Sequence, residues 1–161
     1  SIMKKIFFLL LLSFSALSFS VLSYSLELEI VPTAGEVLET EAVGLVARVD
    51  FEQADQLLGA LERAEAYYQQ EGLNLSHPPV AFVIFGPPVS IFFKENYQKN
   101  QKVVDLAAKL TALKVIDVKV CQFSYIKAGL DGENLLPFVS TVPFGPDELT
   151  RLIEDEDYSY F

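Results

Sequence analysis

The chain has 161 residues, 22 of them Asp or Glu and 12 Lys or Arg, so its formal net charge is −10 at pH 7. Such an acidic surface repels phosphate backbones and anionic lipid headgroups, which argues against nucleic acid and membrane surfaces as partners. A hydrophobic content of 51% is too high for a disordered chain, and a single cysteine excludes an internal disulfide.

In chain order, residues 1–25 set Lys4 and Lys5 before an apolar run, Ile6 to Leu12, and end in Ser23-Tyr24-Ser25. This is the layout of a secretory signal peptide with a small-x-small cleavage site and no cysteine for lipid attachment. An uncleaved membrane helix is the competing reading, since Ile6 to Leu22 is nearly long enough to span. The serines and the small residues at the cleavage site favour removal, which makes the mature chain periplasmic or secreted, with no membrane contact after cleavage. Residues 26–42 are acidic, hold Pro32 and Gly35, and read as an N-terminal arm. Residues 43–161 suit one domain with one core.

Within that domain, VGLVARVDF (43–51) reads as a buried strand. Leu57, Leu58, Leu61, Ala64 and Tyr68 then recur at helical spacing up to a stop at Gly72. VAFVIFG (80–86) is continuously apolar, as in a strand covered on both faces. The next helix is expected over 101–114, with Val104, Leu106, Ala107, Leu110 and Leu113 on its apolar side. IDVKVCQ (116–122) alternates as a third strand, and FSYIKAGL reads as a short helix closed by Gly129 or by the Asp131-Gly132 turn. FVSTVPFG (138–145) is a short fourth strand, and a last helix begins at Pro146, with Asp147 and Glu148 suited to its positive end. Alternation of strand and helix implies an α/β fold with a mostly parallel central sheet flanked by helices. Ligands in such sheets gather beyond the carboxyl ends of the strands, here Asp50, Gly86, Cys121 and Gly145.

Cys121 therefore stands at the expected functional edge. A helix starting at Phe123 would bring N–H groups and a positive dipole end near the sulfur, favouring the thiolate that acts as nucleophile. The bland alternative is an apolar filler, because free cysteine is among the most buried residue types. In FGPPVSIFF the glycine allows a sharp turn, but two prolines remove donors, leaving the N–H groups of Gly86, Val89 and Ser90 for an anion. The alternative there is a rigid turn aiming Val89, Ile91 and Phe92 into a core or subunit contact. His77 has no partners nearby in sequence for metal or acid-base work and reads as solvated. Asn74-Leu75-Ser76 fits a glycosylation sequon of high chance rate. The acidic run Glu154 to Asp157 lacks calcium-loop spacing and reads as a solvated helix end, and the ending DYSYF reads as packing. No Walker loop, dinucleotide fingerprint, G-x-S-x-G or H-E-x-x-H occurs, so the common cofactor classes find no support and no metal is expected.

From residue 80 onward the order VIFGPPV, VKVCQFSYIKAGL and LLPFVSTVPFGPDELTRL, with an ending YSYF, resembles the DsrE/DsrF-like family, in particular its small exported members. The resemblance implies an α/β sandwich of flavodoxin-like layering, a homo-oligomer (trimer or hexamer), and a cysteine, here Cys121, that carries sulfur as a persulfide. Exported relatives often hold a histidine just before the glycine of the second strand's turn; this chain has Phe85. The expected activity is a cofactor-free sulfur relay, or sulfurtransferase-like transfer, between a donor and an acceptor that are small molecules or protein thiols. Gly86, Val89, Ser90 and Ser124 would line the crevice, with Ser124 hydrogen-bonded to the thiolate. The alternative is a non-catalytic ligand-binding or assembly protein on the same fold.

Overall fold

Val80–Ile84 is an uninterrupted apolar run, and all five residues are buried, so this strand must have neighbours on both edges and layers on both faces. The computed structural model places it at the centre of a sheet and describes residues 43–50, 54–72 and 77–161, all within the compact unit Glu39–Phe161. The expected signal peptide, the arm 26–42 and the sequon at Asn74 lie outside the described residues. No helix among the described residues is long and apolar enough to cross a membrane.

The strands are β1 (Gly44–Val49), β2 (Val80–Ile84), β3 (Ile116–Cys121), β4 (Ser140–Val142) and β5 (Tyr158–Tyr160), in the order β4-β3-β2-β1-β5. Every pairing is parallel. The helices are α1 (Ala54–Glu71), α2 (Gln101–Ala112), α3 (Gln122–Lys127) and α4 (Gly145–Thr150), and α4 runs into a π turn, Arg151–Asp155. The protein is thus an α/β fold with its sheet between layers, as strand and helix alternation requires.

Strand alternation divides the sheet into two faces. Ala47, Val49, Phe82, Ile84, Val118 and Val120 meet Leu57 and Leu61 of α1 and Val104, Ala107 and Leu110 of α2 in the main core. Val46, Ala81 and Val83 face the other way, onto Leu149 of α4 and Leu152 of the π turn. Two long helices cover one face, and one short helix covers part of the other.

The stretch after β2 is a series of 3₁₀ turns, beginning at Pro87–Phe92. Val89, Ile91 and Phe92 are all buried, so this is the rigid turn that feeds the core. Gly86 opens it at φ 70°, ψ −151°, a backbone region open in practice only to glycine. Gly129, at φ 74°, closes α3, with Leu130 N–H donating to the Tyr125 carbonyl at 2.9 Å.

Three details depart from the sequence expectation. The fourth strand shrinks to Ser140–Val142, because Pro137 and Pro143 bound it without donors and Phe144 already caps α4. The last helix gives way to the π turn after Thr150, and there Arg151 donates to both Glu148 and Glu156. The ending YSY is a fifth strand rather than packing alone: Tyr158, Ser159 and Tyr160 register on Gly44, Leu45 and Val46. Gly44 is required at that step, since a Cβ there would meet the Tyr158 ring at 2.5 Å.

Candidate functional site

Cys121 is the last residue of β3 and the first before α3. Its carbon chain continues the face of Asp117 and Lys119, the one that α4 partly covers. Its register partner on β4 is Val142, itself buried. Just beyond this pair the two segments meet again: Phe123 N–H donates to the Pro143 carbonyl at 3.2 Å, and the rings of Phe123 and Phe144 stack edge to face at 5.6 Å. Cys121 is 0% exposed, whereas Phe123 is 56%, Ile126 66% and Phe144 40% exposed. The chain's only thiol is therefore sealed beside an apolar surface patch.

The other expected site residues divide into two groups. Gly86 and Ser124 are brought together across 38 positions of sequence, Gly86 N–H donating to Ser124 Oγ at 2.8 Å. That bond ties the turn after β2 to the first turn of α3, and it directs the glycine N–H at the hydroxyl. Val89 and Ser90 belong to the turn itself: Val89 is a core side chain whose N–H donates to the Gly86 carbonyl at 3.3 Å. Ser90 Oγ donates to the Pro87 carbonyl at 3.1 Å, and the Ser90 carbonyl accepts from Asn96 Nδ2 at 2.9 Å. His77 is exposed. No group of three or more potential ligands among the described residues is placed to hold a metal ion.

Phe85 stands beside this ensemble. Its ring packs against Gly145, where a Cβ would come within 2.9 Å, and it carries the Arg48 guanidinium at 5.4 Å from its centroid. Phe85 thus places an apolar ring, with no proton acceptor, at the carboxyl edge of the sheet.

A charged network that the sequence reading did not anticipate fixes α4 to the sheet. Lys119 Nζ donates to Glu148 Oε1 at 2.8 Å, while Arg151 grips the same carboxylate through Nε and Nη2, each at 2.9 Å. A two-pronged guanidinium bond of this kind holds geometry as well as charge. The one available signal was the alternation IDVKVC, in which both charged residues fall on one face and so require a polar partner there.

The hydrogen bond from Arg151, with further help from Lys119, lowers the Glu148 carboxyl from an ordinary 4.5 to about 2, against a smaller opposing effect of burial. The depressed folded-state value means that this contribution is complete above the ordinary carboxyl range and is lost as pH falls from 4.5 toward 2. After discounting for solvent screening, it amounts to on the order of 2 kcal/mol. Urea unfolding of wild type and Glu148→Gln between pH 2 and pH 7 checks this: the gap between them should close in acid. Parallel stability curves would show that the network contributes nothing.

Comparison with protein-family models finds no match, and comparison with curated proteins finds none either. Among solved structures the chain is similar to a protein of unknown function, MTH1491 from Methanobacterium thermoautotrophicum, with TM-score 0.58 and 18% sequence identity. The alignment covers 73% of this chain and 96% of that one. At this identity the likeness concerns the fold, and it agrees with the layered α/β arrangement.

Proposed function

We propose that this domain is an exported, DsrE-like sulfur carrier that holds sulfur as a persulfide on Cys121. The observation that carries the reading is the place of the cysteine: the carboxyl end of a parallel strand, directly before a helix, where folds of this class gather their chemistry. The motif order from VIFGPPV to YSYF supports the same reading. In the proposed step, the Cys121 thiolate attacks a sulfane sulfur of a polysulfide donor. The donor's S–S bond breaks, its electron pair leaves with the shortened polysulfide, and Cys121 keeps the transferred sulfur. An acceptor thiolate then attacks the outer sulfur and releases the Cys121 thiolate. A single thiol suits this transfer, since disulfide exchange within one chain needs a resolving cysteine. No metal or organic cofactor takes part.

Burial of the sulfur makes loading dependent on movement of its cover. The apolar patch of Phe123, Ile126 and Phe144 gives that cover a second role as a contact in a homo-oligomer, a trimer or hexamer. Donor and acceptor are a small molecule or a protein thiol, met in the periplasm or outside the cell.

Alkylation kinetics test the gating. Removing both rings in Phe123→Ala/Phe144→Ala should accelerate native-state alkylation of Cys121 by about two- to tenfold, the factor that corresponds to losing one aromatic pair. An unchanged rate, with labelling only on global unfolding, would contradict it. The second reading, a non-catalytic binding or assembly protein, is favoured by the complete burial of Cys121 and by Phe85 in place of histidine. On that reading the thiol stays inert to both alkylation and sulfur donors.

A further inference from the structure

A cavity of about 330 Å3 opens between α4 with its π turn and the carboxyl halves of β1 and β5. That volume falls at the lower end of small-molecule sites. Its walls come from four separate stretches of chain: Arg48 on β1, Phe85 after β2, Leu149, Ile153 and Glu154 on α4 and the π turn, and Tyr160 on β5. It also lies where the fold reverses direction. From β1 the chain leaves over the face of α1, while β5 is reached through α4 on the opposite face, and such reversals leave a crevice at the carboxyl edge. The π turn sets two successive residues, Ile153 and Glu154, on the wall, and π turns recur at functional sites.

Charge selects the occupant. Arg48 donates through Nε at 3.1 Å and Nη2 at 2.7 Å to Asp50 Oδ2 and rests on the Phe85 ring, so its charge is answered within the protein. Arg151 is held by Glu148 and Glu156. Glu154 forms no ion pair among the described residues. The unanswered charge on the cavity wall is therefore negative, on a chain whose net charge is already −10. An anionic ligand would meet an Arg48 whose charge Asp50 already balances, and would also face Glu154. The apolar walls are Leu149 and Ile153, and Tyr160, a residue 60% exposed on the edge strand, adds an aromatic side chain.

We propose that this cavity binds a small flat aromatic cation, its ring against Tyr160, Leu149 and Ile153 and its positive group on Glu154. The site is independent of sulfur chemistry at Cys121. The aromatic ring of such a ligand gains burial, while its ammonium gains a charged hydrogen bond to Glu154.

The test is an NMR titration of the whole chain with tryptamine and, separately, with indole-3-acetate, which has the same ring and the opposite charge. Tryptamine should give saturable shifts at Ile153, Glu154 and Tyr160, with indole-3-acetate binding at least about tenfold more weakly. The exposed substitution Glu154→Gln should weaken tryptamine about tenfold and narrow that difference, as expected for loss of one charged hydrogen bond. Absence of saturation, shifts confined to other residues, or equal binding of the two probes with no effect of Glu154→Gln would each overturn the proposal.

Discussion

Replacing Phe82 by alanine is expected to lower the unfolding free energy by about 3–5 kcal/mol, a large share of the 5–15 kcal/mol that holds a typical domain together. Phe82 is fully buried at the middle of the central strand, with Ala47 and Val118 as register partners on either side. Its ring also meets that of Phe161 at 6.4 Å, so the residue that follows β5 docks against the same side chain. Truncation removes the aromatic surface and leaves a cavity that helices α1 and α2 are too constrained to fill. Urea denaturation measures the loss as a fall in midpoint at unchanged slope. A loss below about 1 kcal/mol would mean that the helices do not pack on this face as described.

Much of this fold was legible because its signals are long or doubled. The continuously apolar run Val80 to Ile84 reads as a covered strand, and the stripe of α2 spans three turns. Short elements behaved differently. Three residues, Tyr158 to Tyr160, carry too little periodicity to announce a strand, and they form one because β1 offers an open edge. The π turn has no sequence signature either. It shows itself only through the reach of Arg151 to Glu148 and Glu156.

The candidate site was half visible for a similar reason. Position along the chain put Cys121 at the carboxyl edge of the sheet, and the structure has it there. Its burial depends on side chains brought in by tertiary contacts, which spacing cannot express. The bond between Gly86 and Ser124 joins residues 38 positions apart, and nothing local to either position encodes it. The same holds for Lys119 and Glu148, where only the one-sided charge pattern of β3 hinted at a partner. The closing of α3 went the other way: of the two stops the sequence offered, Gly129 and the Asp131-Gly132 turn, Gly129 ends the helix through its left-handed backbone.

The network of Lys119, Glu148 and Arg151 holds α4 against the sheet, and α4 is capped by Phe144, whose ring packs on that of Phe123, two residues after Cys121. Loosening the network should therefore also loosen the cover of the thiol.

The second large effect is all or nothing: transfer of sulfur to Cys121. Intact-mass measurement of the chain after incubation with polysulfide, with Cys121→Ser as its partner, tests the central claim most directly. The account predicts that the wild-type chain gains one sulfur atom, that a thiol reductant removes it, and that the variant gains none. No gain on the wild type, or an equal gain on the variant, would contradict it and make Cys121 a packing residue.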